Sequence, residues 1–238
     1  AGPVPSQARQ TRLAWLTLTA PKCTLMPSML KMNSYDTICH EHLEYYSLAV
    51  LEYILKQAKL KIVDAVVNDI NGGSIRCYAT HIDNFAFKNK EALQRINLLR
   101  QEEFDMELDT DKPYKNFQDR INVHKEELNS LLKKLKKEGK TIHLYGASTK
   151  GNTILQWCGI DHRIIDVAAE RNPDKYGAYT LGTDIPIVSE EESRAMNPDY
   201  YLVLPWHFKE EFIKREQESL NKGIGMIFPL PNIEIIKY

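Results

Sequence analysis

Apolar residues recur at helical spacing from Leu43 to Lys56, where Leu43, Tyr46, Val50, Tyr53 and Ile54 form one stripe and predict a core-facing helix. Two β-rich runs follow, 60–70 and 74–82, joined by Asn71-Gly72-Gly73. Those three residues accept positive φ, so an antiparallel hairpin is expected. Helical periodicity returns over 88–106 through Ala92, Leu93, Ile96, Leu99 and Phe104, and 109–115 reads as a linker. A long amphipathic helix over roughly 116–138 places Phe117, Ile121, Leu128, Leu131, Leu132 and Leu135 on one face, with Gly139 positioned to end it. Beyond it the pattern alternates: strands at 141–147, 164–170, 200–206 and 225–231, helices at 150–159, 189–196 and 207–223. Strands separated by helices imply a parallel sheet with right-handed crossovers, a small Rossmann-like α/β unit.

Length changes this picture little: 238 residues suit one large domain or two modest ones, and the linker favours two. With 43% hydrophobic and 26% charged residues and a formal net charge of -1, the chain reads as an ordinary soluble globular protein. The basic run at 133–140 reads as a solvated helix end, so no nucleic-acid partner is expected. No apolar run is long enough to span a bilayer, and four scattered cysteines fit a reducing cytoplasm. One composition shift does matter. Residues 1–35 hold no Asp or Glu, and all 32 acidic residues fall between Asp36 and Glu234. Residues 1–25 are accordingly expected to be a weakly ordered edge, since no convincing signal-peptide cleavage site accompanies them.

Candidate chemistry concentrates in two places. In "LYGASTKGNT", 144–153, a strand runs into Gly146, a small-residue turn, Lys150, Gly151 and a helix, an arrangement that suits an anion at a helix N-terminus. Glu170 ends the next strand, where such units present a carboxylate to ribose hydroxyls. Neither the GxGxxG nor the GxxxxGK[ST] fingerprint is satisfied, and small residues at a first βα turn also serve packing alone. Arg171, Trp206 and His207 would border the same crevice; Trp206 can stack on a ligand or anchor the core. The second place is "CHEH", 39–42. An H-x-H pair could ligate a metal if extended, but no further ligand cluster supports one, and no metal is expected. Acid–base chemistry and a simple helix cap are the other readings.

The blocks "SYDTICHEHLEYYS", "NGGSIRCY", "YGASTKGNTILQWCGI", "ERNPDKYGAYTLGTDIPIVS", "YYLVLPWHFKEE" and "IFPLPNIEII" resemble, in order and spacing, the sugar C-methyltransferase family from about Met26 to the C-terminus. The resemblance implies S-adenosylmethionine-dependent methylation of a nucleotide-linked keto-deoxysugar. It also implies three parts, of which a zinc-binding N-terminal domain and the first half of the methyltransferase domain have no counterpart here. Residues 26–112 would be the distal half of that class I methyltransferase domain, with its antiparallel hairpin, and 113–238 a C-terminal Rossmann-like domain. By the same resemblance His42 is the general base that forms an enolate, Glu41 its supporting carboxylate, and His40 structural. Gly146, Lys150, Gly151, Asn152, Thr153, Glu170 and Trp206 would bind the nucleotide-sugar. The residue before HEH, Tyr in the family, is Cys39 here, and Asp36 and the Gly72-Gly73 turn match without an assignable role. A non-catalytic nucleotide-sugar-binding fragment and, further off, a nicotinamide-dependent oxidoreductase are the competing readings. The oligomeric state is left open, a monomer included.

Overall fold

The computed structural model describes residues 24–68 and 73–238, together with the backbone of 16–19. Two hydrophobic cores organise them. The smaller lies beneath a three-stranded antiparallel sheet in the order β1 (Leu16–Thr19), β5 (Ser74–His81), β4 (Leu60–Asn68). Within the segment expected to be weakly ordered, β1 thus joins a sheet; residues 1–15 and 20–23 lie outside the described residues, as does the hairpin tip at 69–72. The expected antiparallel pair is present, with Gly73 at φ 116° packed so closely on Ser28 that a Cβ there would sit 2.4 Å from the serine Cβ.

Helix α2 (Leu48–Gln57) differs from the sequence reading in both start and facing. Tyr45-Tyr46 (β3) pair with Thr24-Leu25 (β2) in a short parallel ladder, which keeps 43–46 out of the helix. Ser47 then caps α2 by accepting the Val50 N–H, and the buried Glu103 carboxylate of α3 (Lys90–Asp105) accepts the N–H groups of Leu48 and Ala49. This docking turns Leu48, Leu51 and Leu55 into the smaller core, beside Ile62, Ala65, Cys77 and Ile96. Leu43, Val50, Tyr53 and Ile54, expected inside, face outward instead.

The larger core begins within α1 (Met26–Lys31). Met29, Leu30 and Tyr35 pack with α4 (Lys112–Lys137), whose Phe117, Ile121, Leu128, Leu132 and Leu135 form the predicted buried face; Gly139 follows at φ 74°. The remaining strands are β6 (Ile142–Tyr145), β7 (Ala168–Glu170), β8 (Ile187–Ser189), β9 (Tyr200–Val203), β10 (Gly225–Phe228) and β11 (Glu234–Ile236). They build one sheet in the order β11-β10-β9-β6-β7-β8, parallel except for β11. Strands β6, β9 and β10 are apolar and buried along nearly their whole length, as a sheet covered on both faces requires. The winding direction reverses between β6 and β9, which opens a crevice beyond their carboxyl ends.

The connecting helices are α5 (Thr149–Cys158), α6 (Glu190–Ala195), α7 (Lys209–Arg215) and α8 (Gln217–Asn221). One continuous helix was expected over 207–223. It breaks at Glu216 because that carboxylate turns into the core, where Arg194, Tyr145 and Ser219 all donate to it. The edge strands β8 and β11, three residues each, are not among the strands expected from the sequence.

Candidate active site

The crevice at the reversal point holds a cavity of about 380 Å³ lined by Gly146, Ser148, Glu170, Lys175, Phe212 and Arg215, among others. Gly146 sits at φ 87°, and a Cβ there would meet Pro205 Cγ at 2.8 Å; at Gly151 a Cβ would meet Leu204 Cδ1 at 2.4 Å. Both glycines therefore let the β6–α5 turn close against the β9 loop. Ser148 caps α5 by accepting the Gly151 N–H, and the other first-turn N–H groups have no intrahelical acceptor.

Glu170 is committed. Its carboxylate accepts the N–H groups of Ala147, Arg171 and Asn172 and the Lys175 ammonium, which also donates to Ala147 O. Burial pushes this carboxyl up, but the Asn172 and Arg171 N–H groups and Lys175 outweigh it and hold it below the ordinary value. Beneath the cavity, Glu216 behaves alike. Burial raises it, while Arg194, Tyr145 and Ser219 win and keep it ionised.

The CHEH segment is brought to this edge of the sheet by residues 34–41, and each anchor lies on the parallel-sheet unit or within the segment's own loop. Tyr35 and His124 of α4 share a bond of 3.1 Å, and His124 Nε2 lies 2.6 Å from Pro229 O. A carbonyl only accepts, so Nε2 carries the proton; burial lowers the imidazole pKa and keeps it neutral, leaving Nδ1 to accept from the Tyr35 hydroxyl. Asp36, buried, accepts the Trp206 indole N–H at 3.0 Å, and His207 Nε2 lies 3.6 Å from the same oxygen. Tyr45 donates its hydroxyl to Thr37 O, and Thr149 Oγ1, at the first residue of α5, donates to Glu41 at 3.1 Å.

Cys39 to His42 form a turn closed by the His42 N–H on Cys39 O at 3.0 Å. The two histidines are thus not on an extended segment, and the helix cap is Ser47, not CHEH. His40 and Glu41 are exposed and His42 is partly covered. Among the described residues no group of three or more His, Cys, Asp and Glu side chains is arranged to hold a metal. Nor is any described helix long and apolar enough to cross a membrane.

Of the residues singled out from sequence, Glu41 comes within bonding distance of the turn that holds Gly146, Lys150, Gly151, Asn152 and Thr153. Lys150 Nζ and Asn152 Oδ1 are buried without hydrogen-bond partners, although these are polar groups whose desolvation is costly. Glu170 stands on the cavity wall and Trp206 lies buried in its bond to Asp36. Asp36 was named from the sequence without a role, and Thr149 and the Glu216 cluster were not singled out. Asp36 matched a family block, which was a signal; a threonine in a βα turn and a glutamate in a charged helix offered none.

A model of the C-methyltransferase C-terminal domain matches residues 69–231. The chain belongs to the C-methyltransferase family. It is 34% identical over 208 residues to "C-methyltransferase NovU" of Streptomyces niveus, a match covering 87% of this chain and 49% of that protein. The chain therefore spans about half the length of the relative it matches.

The β6–α5 turn and Glu170 do not fit the adenosyl group of a methyl donor. Such a group needs a glycine turn open to ligand and a carboxylate free for ribose hydroxyls. Here Pro205 and Leu204 take the space beside Gly146 and Gly151, and four donors occupy Glu170.

Proposed function

We propose that this chain supplies the acid–base and nucleotide-sugar-binding parts of an S-adenosylmethionine-dependent C-methyltransferase acting on a nucleotide-linked keto-deoxysugar. One observation carries the reading. Glu41 is bonded to Thr149, so the CHEH turn stands at the end of α5 where the Lys150 ammonium is buried without a partner. A helix N-terminus with an uncompensated cation suits phosphate, and the adjacent turn suits proton transfer.

In this reading a sugar C–H beside a ketone is removed by His42, because such a carbon is not nucleophilic until its charge spreads onto oxygen. Glu41 orients and stabilises the imidazolium. Lys150, the first-turn N–H groups of α5, Asn152 and Thr153 receive the diphosphate and sugar; Gly146, Gly151, Glu170 and Trp206 hold that loop in shape. S-adenosylmethionine supplies an electrophilic methyl group, and it is bound by a part of the fold not among these residues. The division at 112/113 follows as part of the proposal: 26–112 the distal methyltransferase half, 113–238 the nucleotide-sugar domain.

The test uses a full-length form active in methyl transfer. His42→Ala is expected to abolish both turnover and exchange of the sugar α-hydrogen with solvent, while nucleotide-sugar affinity stays within about threefold. Lys150→Met is expected to weaken that affinity by about tenfold or more. Unchanged exchange in His42→Ala removes its assignment as base. Calorimetry on the present chain that found nicotinamide dinucleotide bound, and nucleotide-sugar not bound, would overturn the whole reading.

A further inference from the structure

From Ser34 to Thr37 the segment that carries CHEH is buried, and Tyr35 and Asp36 fix it to α4 and to Trp206. From Ile38 to Glu44 no residue is buried. The Tyr45 hydroxyl on Thr37 O draws the two ends of this stretch together, but packing does not hold its middle. A proton-transfer group has to be held, because a displacement of about 1 Å can cost about a hundredfold in rate. A polar tether must therefore do here what burial does for the residues before it.

Thr149 supplies such a tether. Its Oγ1 donates to Glu41 Oε1 at 3.1 Å, 108 positions away in the chain. A Ser or Thr at a helix start ordinarily caps its own helix. Here Ser148 already does so by accepting the Gly151 N–H, and Thr149 is the first helical residue, so its hydroxyl is released to the other segment. The next residue, Lys150, keeps its ammonium buried without a partner. One turn thus carries both the cation assigned to the diphosphate and the hydroxyl that fixes the carboxylate beside His42. We propose that Thr149 is a positioning residue for proton abstraction, holding the CHEH turn through Glu41 at a set distance from the sugar bound on α5. The assignment rests on His42 acting as the base. Because the bond is open to water it adds little to folding, and its effect falls on the chemical step.

The experiment uses the full-length active form with a nucleotide-linked keto-sugar that it methylates, and reads solvent exchange of the sugar α-hydrogen at saturating substrate together with nucleotide-sugar affinity. Thr149→Val keeps the side-chain shape and loses the hydroxyl. It is expected to slow exchange by about tenfold or more, while affinity stays within about threefold and the unfolding midpoint does not move. Thr149→Ser restores the donor and should return exchange to within about threefold of the native rate. In a Glu41→Ala background, Thr149→Val should change exchange by less than about twofold, because the hydroxyl's partner is already gone. A native exchange rate in Thr149→Val, a serine variant no faster than the valine one, or losses that add in the double variant would each overturn the proposal. His42→Ala separates the two levels. If it abolishes exchange while Thr149→Val is native, Thr149 alone loses its role; if it exchanges at the native rate, the assignment of the base falls as well.

Discussion

Removing Arg194 tests the energetic core of the parallel-sheet unit. Its guanidinium donates to Glu216 at 2.6 Å and 3.1 Å and to Glu190 at 2.9 Å, and Tyr145 and Ser219 complete the Glu216 shell at 2.7 Å each. The two partners are not equivalent. Glu216 is 1% exposed and, among the described residues, pairs with no other cation, whereas Arg194 is about one-third exposed and keeps Glu190 and water. Arg194→Met therefore strands a buried carboxylate, at a cost of about 3–5 kcal/mol. Glu216→Gln loses charge-assisted bonds but leaves no stranded charge, at a cost of about 1–3 kcal/mol. At roughly 2–4 °C per kcal/mol for a chain of this size, Arg194→Met should lower Tm by about 6–20 °C. The two losses should not add, because the second substitution removes the charge that the first left uncompensated.

The pH dependence carries a sign. In the native protein the Glu216 pKa lies below its unfolded value, so its contribution is full above the unfolded carboxylate pKa and is lost as pH falls through the folded one. Without Arg194, burial dominates and the folded pKa rises above the unfolded value. The variant's deficit should accordingly be largest near about pH 7 and narrow toward about pH 4. Urea unfolding of both variants and the double variant at several pH values measures this. An Arg194→Met cost no larger than that of Glu216→Gln, or a deficit that does not change with pH, would refute the argument.

Two smaller perturbations address the turn and the anchor. Gly146→Ala places a Cβ against Pro205 at a positive-φ position and should destabilise the chain by about 1–3 kcal/mol; a neutral effect in urea unfolding would show that the turn relaxes freely. Trp206→Phe removes the indole N–H from Asp36 and should cost about 1–3 kcal/mol, with faster proteolysis within 38–44 as the readout specific to a lost anchor.

The parallel unit was legible because its elements are local. The α4 stripe and the buried strand runs each predict an element from a few neighbouring residues, and the structure contains them. Helix α2 was misread in its facing because periodicity reports that a stripe is apolar, not which of two stripes a particular neighbour covers. Its rotation is decided by Glu103, more than fifty positions downstream, taking the Leu48 and Ala49 N–H groups. The break at Glu216 has the same cause, since the helix pattern continues through it and only the distant Arg194 and Tyr145 turn the carboxylate inward.

By itself the sequence determined the order of the longer elements, the α/β class and the two stretches where chemistry-bearing residues gather, since composition and spacing suffice for those. Only the tertiary structure decided how the stretches meet. Asp36 on Trp206, Tyr35 on His124 and Glu41 on Thr149 join residues more than eighty positions apart, and no local pattern encodes such pairs. Their registration depends on the packing of a whole sheet edge, which sets where each loop arrives.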